Sequence, residues 1–583
     1  MSEPRPDQER LYLIDAIGPF FRGYQKRTIN WSKIPFEHLK MEGAEREPQW
    51  AEIRRELGVL CQKVSALGFN AVSLDDVTHL ADDVHYALDT RAMIAQWRAE
   101  FRKCFEVVRQ HGLKVYLTMD VFSSTPAVRE HLTNTRCSIE SFLSSLLDRF
   151  FQEFPEVSGI IIRIGEADGR DVHDHFRSEL HLRNASETNR FLHALLPVFA
   201  KHERKLVFRT WTVGAYRIGD LMWHRGTFAQ VLKGLEHHPS LIVSMKYGDS
   251  DFFRFLPLNE NFFHHPVAKI VELQTRREYE GCGEYPSFTG WEYERYAREL
   301  AQAPNMVGMM VWCQTGGWVP FRRLAYLDTD AVWTELNTFV TLRTFKDKQM
   351  VEDAIREFAL QRGCDNWRAM LELLRLADEV INELLYVEEF ARQNLFFRRV
   401  RVPPLLQVYW NNIFISHSVK KMLGHFVEDK AASLRAAQRA LDNLEHMKSL
   451  AAECGMPVAD IEYMADTFHL LALAREYCLT PFTEEVEKKL RVAKKAYKAK
   501  YPKSGSRPRY RIKMNFQPFW LRYRQLAWAV AVLMRRKAGY RLVDRIFTLH
   551  GLSLIYRVIA RRRPQWIPSF ARDSAMGLDT VFR

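Results

Sequence analysis

Apolar runs of four to eight residues recur through the first 345 positions. Between them lie longer stretches in which apolar side chains return every three or four residues. The runs are Leu11–Ala16, Ala71–Leu74, Lys114–Met119, Gly159–Ile164, Leu206–Trp211, Leu241–Lys246, Lys269–Gln274 and Met306–Cys313. Short continuous apolar runs suit strands covered on both faces, and the intervening period suits amphipathic helices, as in Trp50–Leu67, Ala92–Gln110, Ser138–Phe154 and Thr188–His202. Eight such units in this length predict an α/β fold, a (β/α)8 TIM barrel over residues 1–345. A doubly wound open sheet competes, but no glycine-rich phosphate fingerprint follows the first run.

The pattern changes after Phe345. Strand-like runs become scarce, and helical periodicity holds over Asn366–Gln393, Ala431–Glu453 and Ala459–Tyr477, with Asp365 placed to cap the first. Residues 346–583 are therefore expected to form an all-α C-terminal domain. Lys503–Pro508 has the composition of a surface loop. From Phe516 onward aromatic residues alternate with arginines in a basic tail.

Composition narrows the picture. With 583 residues, 47% hydrophobic and 27% charged, the chain can bury a large core. Its eight cysteines are scattered, with no C-x-x-C pair, which speaks against a disulfide framework and for a reducing compartment. Residues 1–10 are polar and lack the apolar core of a secretory signal, and Leu526–Met534 falls short of the ~20 apolar residues a membrane span needs. A cytoplasmic protein is expected. The net charge of +13 implies affinity for anions. A solvated basic face is the plain reading, and an acidic polymer or an anionic membrane is the sharper one. A nucleic-acid partner is not expected. Apolar stripes in the helical half read as core or as the seam of a homodimer.

The chemistry-bearing residues cluster where the runs end. Asp15, Asp75-Asp76 and Asp120 follow the first three. Arg163, Glu166 and Asp168 follow the fourth, Arg209 and Trp211 the fifth. Lys246, Asp249 and Asp251 follow the sixth, Glu278 the seventh, and Trp312, Gln314 and Trp318 the eighth. In a barrel these positions share one rim. Carboxylates can hydrogen-bond hydroxyls, aromatics can stack on sugar rings, and fixed cations select an anionic group. A carbohydrate site for an acidic sugar is the expectation. Arg163, Arg209, Lys246, Asp75, Asp120, Trp312 and Trp318 are its candidate binding residues. Asp171, His173, Asp174 and His175 have metal-ligand chemistry but no distant partner in the sequence, so no metal or cofactor is expected.

Five motifs in order resemble glycoside hydrolase family 67, the α-glucuronidases. They are Arg22-Gly23-Tyr24 through Ile29, Gly68-Phe69-Asn70 through Val77, Leu113–Asp120, Lys246–Phe252 and Glu272–Gly281. The likeness covers roughly residues 10–320. It implies an inverting glycosidase removing an α-linked uronic acid from an oligosaccharide. Glu166 would be the general acid, with Asp168 in reserve. Asp251 and Glu278 would be the carboxylates that activate water, and Arg163, Arg209 and Lys246 would hold the uronate. Inversion asks for carboxyl groups ~6.5–9.5 Å apart. The chain also departs from the family. Arg163 stands where the family has Lys, and Asp75, Asp76 and Asp120 where it has Asn. No β-rich domain precedes the barrel, so a distant, shortened relative is expected. The alternatives are a non-catalytic carbohydrate-binding or scaffold barrel, and a glycosidase for a different or neutral sugar.

Overall fold

The computed structural model describes residues 9–24, 34–164, 176–178, 180–212, 216–314, 323–397, 400–518, 520, 522–533, 542, 554, 558, 561 and 562. Eight parallel strands close into a barrel. They are β1 (Leu11–Asp15), β2 (Ala71–Leu74), β3 (Lys114–Asp120), β4 (Val157–Arg163), β5 (Lys205–Arg209), β6 (Leu241–Lys246), β7 (Lys269–Gln274) and β8 (Met306–Trp312). Each pairs with its sequence neighbours, and β8 returns to β1. The sequence expectation of a barrel holds, with strand ends moved by one or two residues.

Both faces of these strands are covered, which is why they read as continuous apolar runs. Ile160, Ile161 and Ile162 on β4 are fully buried. Outside the barrel lie α1 (Arg46–Leu67), α2 (Leu88–Gln110), α3 (Ile139–Glu153) and α4 (Ala185–Lys201). Ser138 accepts a hydrogen bond from the Ser141 amide at 3.1 Å and Asn184 one from the Glu187 amide at 3.0 Å, so α3 and α4 each begin on a side-chain cap. The seam between β1 and β8 depends on Gly308. Its φ is +153°, and a Cβ there would overlap the Leu11 carbonyl.

The C-terminal region is mainly helical. Its long members are α5 (Trp367–Val380), α6 (Lys430–Glu453), α7 (Val458–Leu479) and α8 (Glu484–Lys500). The cap of α5 is Asn366, whose side chain takes the Ala369 amide at 3.3 Å, and not Asp365 as the sequence suggested. A small three-stranded sheet joins these helices: β9 (Val408–Tyr409), β10 (Asn412–Ser416) and β11 (Arg511–Asn515). Its members are too short and too mixed in polarity to stand out by periodicity.

A buried ionic knot ties this region to the barrel. Glu280, in the loop after β7, is fully buried. It accepts from Arg254 at 3.1 Å, from Arg277, from Ser287 and from the Tyr386 hydroxyl at 2.6 Å. Arg254 also reaches Asp378 on α5 and the Phe288 carbonyl at 2.6 Å. Burial pushes the Glu280 carboxyl up, but Arg254 and Arg277 pull it further down, to about 2. A second tie runs from Arg323 to Asp460 at 2.7 and 3.0 Å, with the Trp333 indole donating to the same carboxylate at 2.8 Å.

Removing one member of such a knot strands the others. Glu280→Gln is expected to cost about 3–5 kcal/mol in urea unfolding. The sign of the pH effect follows from the lowered carboxyl. Its stabilisation is complete above about pH 4.5, the ordinary value, and drains away as pH falls towards 2. The variant's acid unfolding should be correspondingly flatter over that window.

Candidate functional site

The C-terminal ends of the strands bring the expected charges to one rim, but the rim cations are already engaged. Arg163, at the end of β4, donates from Nε to Asp120 Oδ1 at 3.0 Å, and Ser178 donates to the other Asp120 oxygen at 2.6 Å. Arg209, at the end of β5, grips Glu272 with two bonds of 2.8 Å. Ser244 and the Trp312 indole complete that carboxylate's shell at 2.7 and 3.1 Å. Trp312 also lies under Arg209, whose guanidinium carbon sits 4.9 Å from the ring centre. The structure thus places Trp312 inside the wall of the mouth, where it serves Glu272. Burial pushes the Glu272 carboxyl up, and Arg209, Lys246 and Ser244 pull it lower overall.

Asp75 lies deeper, taking the Ile34 amide at 2.7 Å and the Thr118 hydroxyl. Burial raises its carboxyl to about 6, with Arg163 opposing and Asp76 adding to the rise. Asp76 is spent on His79: its carboxylate lies 2.6 Å from the ring Nδ1 and accepts the His79 amide at 3.0 Å. Asp15 receives the Cys313 amide at 2.6 Å and the Gln314 amide at 3.0 Å, so it holds the turn after β8.

The loops after β6 and β7 form the reactive-looking sector. Lys246 donates to Asp251 Oδ1 at 2.5 Å, and its ammonium sits 3.6 Å from the centre of the Trp211 ring and 4.3 Å from that of Phe252. Tyr279 donates to Asp251 Oδ2 at 2.8 Å. Asp251 therefore has a cation on one oxygen and a phenol on the other. Glu278 is placed by its own amide, which donates to Gln274 Oε1 at 2.9 Å. The turn that aims it is strained: Arg277 and Cys282 adopt φ of +56° and +53°. Such left-handed residues cost roughly 1–2 kcal/mol each, and the Arg277–Glu280 ion pair offsets part of this. Asp251 and Glu278 both act on the same phenols. Burial raises Tyr279 well above its ordinary value and both carboxylates raise it further, and the same causes act in the same order on Tyr409.

Tyr409 and its neighbour Trp410 come from outside the barrel, at the end of β9. Their rings lie 4.4 Å apart, at 5.5 and 6.1 Å respectively from that of Tyr279. Trp410 is half-buried with φ of +50°, an uncommon conformation for a bulky residue. This aromatic pair beside two carboxylates went unnoticed in the sequence. The only local signal is the dipeptide itself, in a stretch remote from the barrel motifs. Another contribution from the same region is Arg401, fully buried, whose Nε stands 3.6 Å from Asp249 Oδ1. Burial lowers Arg401 and raises Asp249, each opposed by the other's charge.

Glu166, Asp168, Trp318 and the Asp171–His175 run lie outside the described residues. Among the described residues, no group of three or more His, Cys, Asp or Glu side chains is arranged to hold a metal ion.

No family model and no curated protein matches the sequence. Solved structures that align with this one include glycoside hydrolases. One is a GH138 enzyme targeting pectin rhamnogalacturonan II, at 10% identity and TM-score 0.44, over 84% of this chain and 61% of that one. Another is CpGH89 from Clostridium perfringens, bound to GlcNAc-alpha-1,4-galactose, at 10% identity and TM-score 0.41, over 84% and 52%. CpGH84B aligns at 8% identity and TM-score 0.36, over 84% and 70%. The chain thus spans about three fifths of the length of the first of these enzymes. At such scores the likenesses bear on neither activity nor substrate.

The Arg209–Glu272 pair generates a test of the rim's construction. Glu272→Gln or Arg209→Met alone should destabilise by about 3–5 kcal/mol, because each strands a buried charge or donor set. The double variant should recover a good part of that loss in urea unfolding, which independent contributions would not give.

Proposed function

We propose that the protein is a glycoside hydrolase whose water-activating side is formed by Asp251 and Glu278. One observation carries this reading: at the barrel rim Asp251 takes the Tyr279 hydroxyl at 2.8 Å, Glu278 directly precedes that tyrosine, and the Tyr279 ring packs against the half-buried pair Tyr409 and Trp410. Carboxylates able to take a proton from water, beside rings able to stack on a sugar face, are the parts glycosidic hydrolysis uses. Asp251 would be held by Lys246 and Tyr279 with its charge compensated and its orientation fixed. Glu278 would share the water. The family resemblance assigns the proton donor to Glu166 and makes the reaction inverting, with an α-linked uronic acid as the group released.

The ion pairs favour a second reading of the sugar. A uronate carboxylate seated by Arg163, Arg209 or Lys246 would compete with Asp120, Glu272 or Asp251, which already compensate those charges. Arg163 and Arg209 are also 1% and 3% exposed, out of reach of a ring lying in the mouth. An uncharged sugar meets no such competition, because hydroxyls can bond to the carboxylates as they stand. On this reading the enzyme cleaves a neutral glycoside with the same residues.

A panel of aryl α-glycosides with and without a uronate separates the two, with the product anomer followed by NMR. The expected outcome is faster turnover of a neutral member and release of the inverted anomer. Preference for the uronide would restore the anion-binding role of the three cations. Asp251→Ala and Glu278→Ala should each lower kcat by about 10²–10⁴-fold with the fold intact by circular dichroism. Glu166→Gln should lose activity on poor leaving groups and spare good ones. Unchanged turnover in all three variants would refute the hydrolase assignment. Trp410→Ala should raise KM more than it lowers kcat, since a stacking platform binds ground and transition states alike.

A further inference from the structure

The chain from Phe516 to Arg563 differs in kind from the rest. It holds eleven Lys and Arg against a single acid, Asp544, and so accounts for ten of the thirteen net positive charges. Interleaved with these are eight aromatic residues, among them Trp520, Tyr523 and Trp528. The sequence also places Leu542, Ile546 and Leu549 three and four residues apart, with Arg541 and Arg545 beside them in the chain.

The described positions show which way this chemistry faces. The helix Tyr523–Leu533 is moored by buried Leu526 and by Tyr523, whose ring lies 5.6 Å from His425 on the helix His417–Phe426. Its outer side carries Trp528, 66% exposed, and exposed Arg522 and Arg524 stand at its start. Trp520 is 76% exposed, and Leu542, Leu554 and Val558 also stand in solvent, with Arg561 and Arg562 exposed further along. Of the twelve large apolar side chains that are exposed among the described residues, six belong to this segment, although it is less than a tenth of the chain. The other six are scattered along more than four hundred positions. So dense an apolar display, interspersed with guanidinium groups, points to a surface that something covers.

Charge complementarity and side-chain type choose the occupant. Eleven cations call for an anionic surface. Tryptophan and arginine fit the headgroup layer, one with an apolar body and polar edge, the other with a charge that pairs with phosphate. Exposed Leu and Val have no use on a nucleic acid or a sugar polymer, but they gain by entering the acyl boundary. Crossing the membrane is a different matter. No helix among the described residues is long and apolar enough to span one. Arg535-Arg536-Lys537, Arg541, Asp544-Arg545 and Arg557 also cut the segment into apolar runs well short of the ~20 residues a span requires.

We propose that the segment bearing Trp520, Arg522, Arg524 and Trp528 lays the protein on an anionic lipid surface, with these tryptophans and the exposed Leu542, Leu554 and Val558 in the interface and the two arginines on lipid phosphate. This is independent of the hydrolase reading and requires no catalytic residue.

The test uses the full chain. Co-sedimentation is measured with vesicles of phosphatidylcholine plus phosphatidylserine, and with vesicles of phosphatidylcholine alone. Binding is expected to the mixed vesicles and to be at least about tenfold weaker to the neutral ones. Trp520→Ser with Trp528→Ser, and separately Arg522→Glu with Arg524→Glu, should each weaken it about tenfold or more with the melting temperature unchanged. Raising salt should reduce binding without abolishing it, because the apolar part is unscreened. Brominated acyl chains should quench part of the tryptophan emission of the unaltered protein, a readout that needs no variant. The proposal is overturned by equal binding to both vesicle types, by no binding, or by absence of quenching. It is also overturned if a polynucleotide competes for the protein and the tryptophan variant binds as before, since charge alone would then explain the attraction. A concentration-dependent dimer abolished by the tryptophan variant, with no vesicle binding, would give the surface to a second copy and equally overturn it.

Discussion

A buried carboxylate must be answered by positive charge, and Glu280 is where that rule binds the architecture together. It sits between two guanidinium groups and two hydroxyls with no access to water. Desolvating an ion costs several kcal/mol unless its partners are fixed in place. Arg277 comes from the barrel loop, Arg254 from the preceding loop, and Tyr386 from the C-terminal region. The knot can therefore form only when all three segments are home. The left-handed turn at Arg277 is part of the same device, since Arg277 donates from it to Glu280 three residues on.

The same rule shapes the rim. Arg163, Arg209 and Lys246 look from the sequence like three free cations awaiting an anion. In the folded protein each has a carboxylate at hydrogen-bond distance. Asp120 at the end of β3 supplies one of these counter-charges. A more acidic cup is thus also a more self-neutralising one. The physical difference lies in compensation: a site with unpaired cations gains by taking an anion, whereas in a site with paired ions an arriving anion meets the carboxylates already there.

Much of the fold was legible in the sequence. The β4 run of three isoleucines, the strand-to-helix rhythm and the absence of a phosphate loop sufficed for the barrel, because a strand buried on both faces has to be apolar throughout. The carboxylates Asp251 and Glu278 were legible because strand ends are easy to locate and a barrel rim collects them. Contacts between distant segments were not legible. Nothing in the neighbourhood of Tyr409 announces that it will meet Tyr279, and no periodicity distinguishes Glu280, held in a knot, from Glu278, two residues earlier and outside it. Trp312 was placed on the right strand, but its orientation depended on Glu272 across the mouth. Asn366 rather than Asp365 caps its helix, a choice set by backbone angles one residue apart.

The Tyr409–Trp410 turn sits on a short hairpin that reaches the rim from a separate part of the chain. The strands and their carboxylates can stay as they are while that hairpin lengthens, shortens or changes its rings. The opening then behaves as a fixed bench with an interchangeable jaw. Sequence change confined to that hairpin could reshape the opening through codons far from those of the rim carboxylates, leaving the barrel beneath untouched.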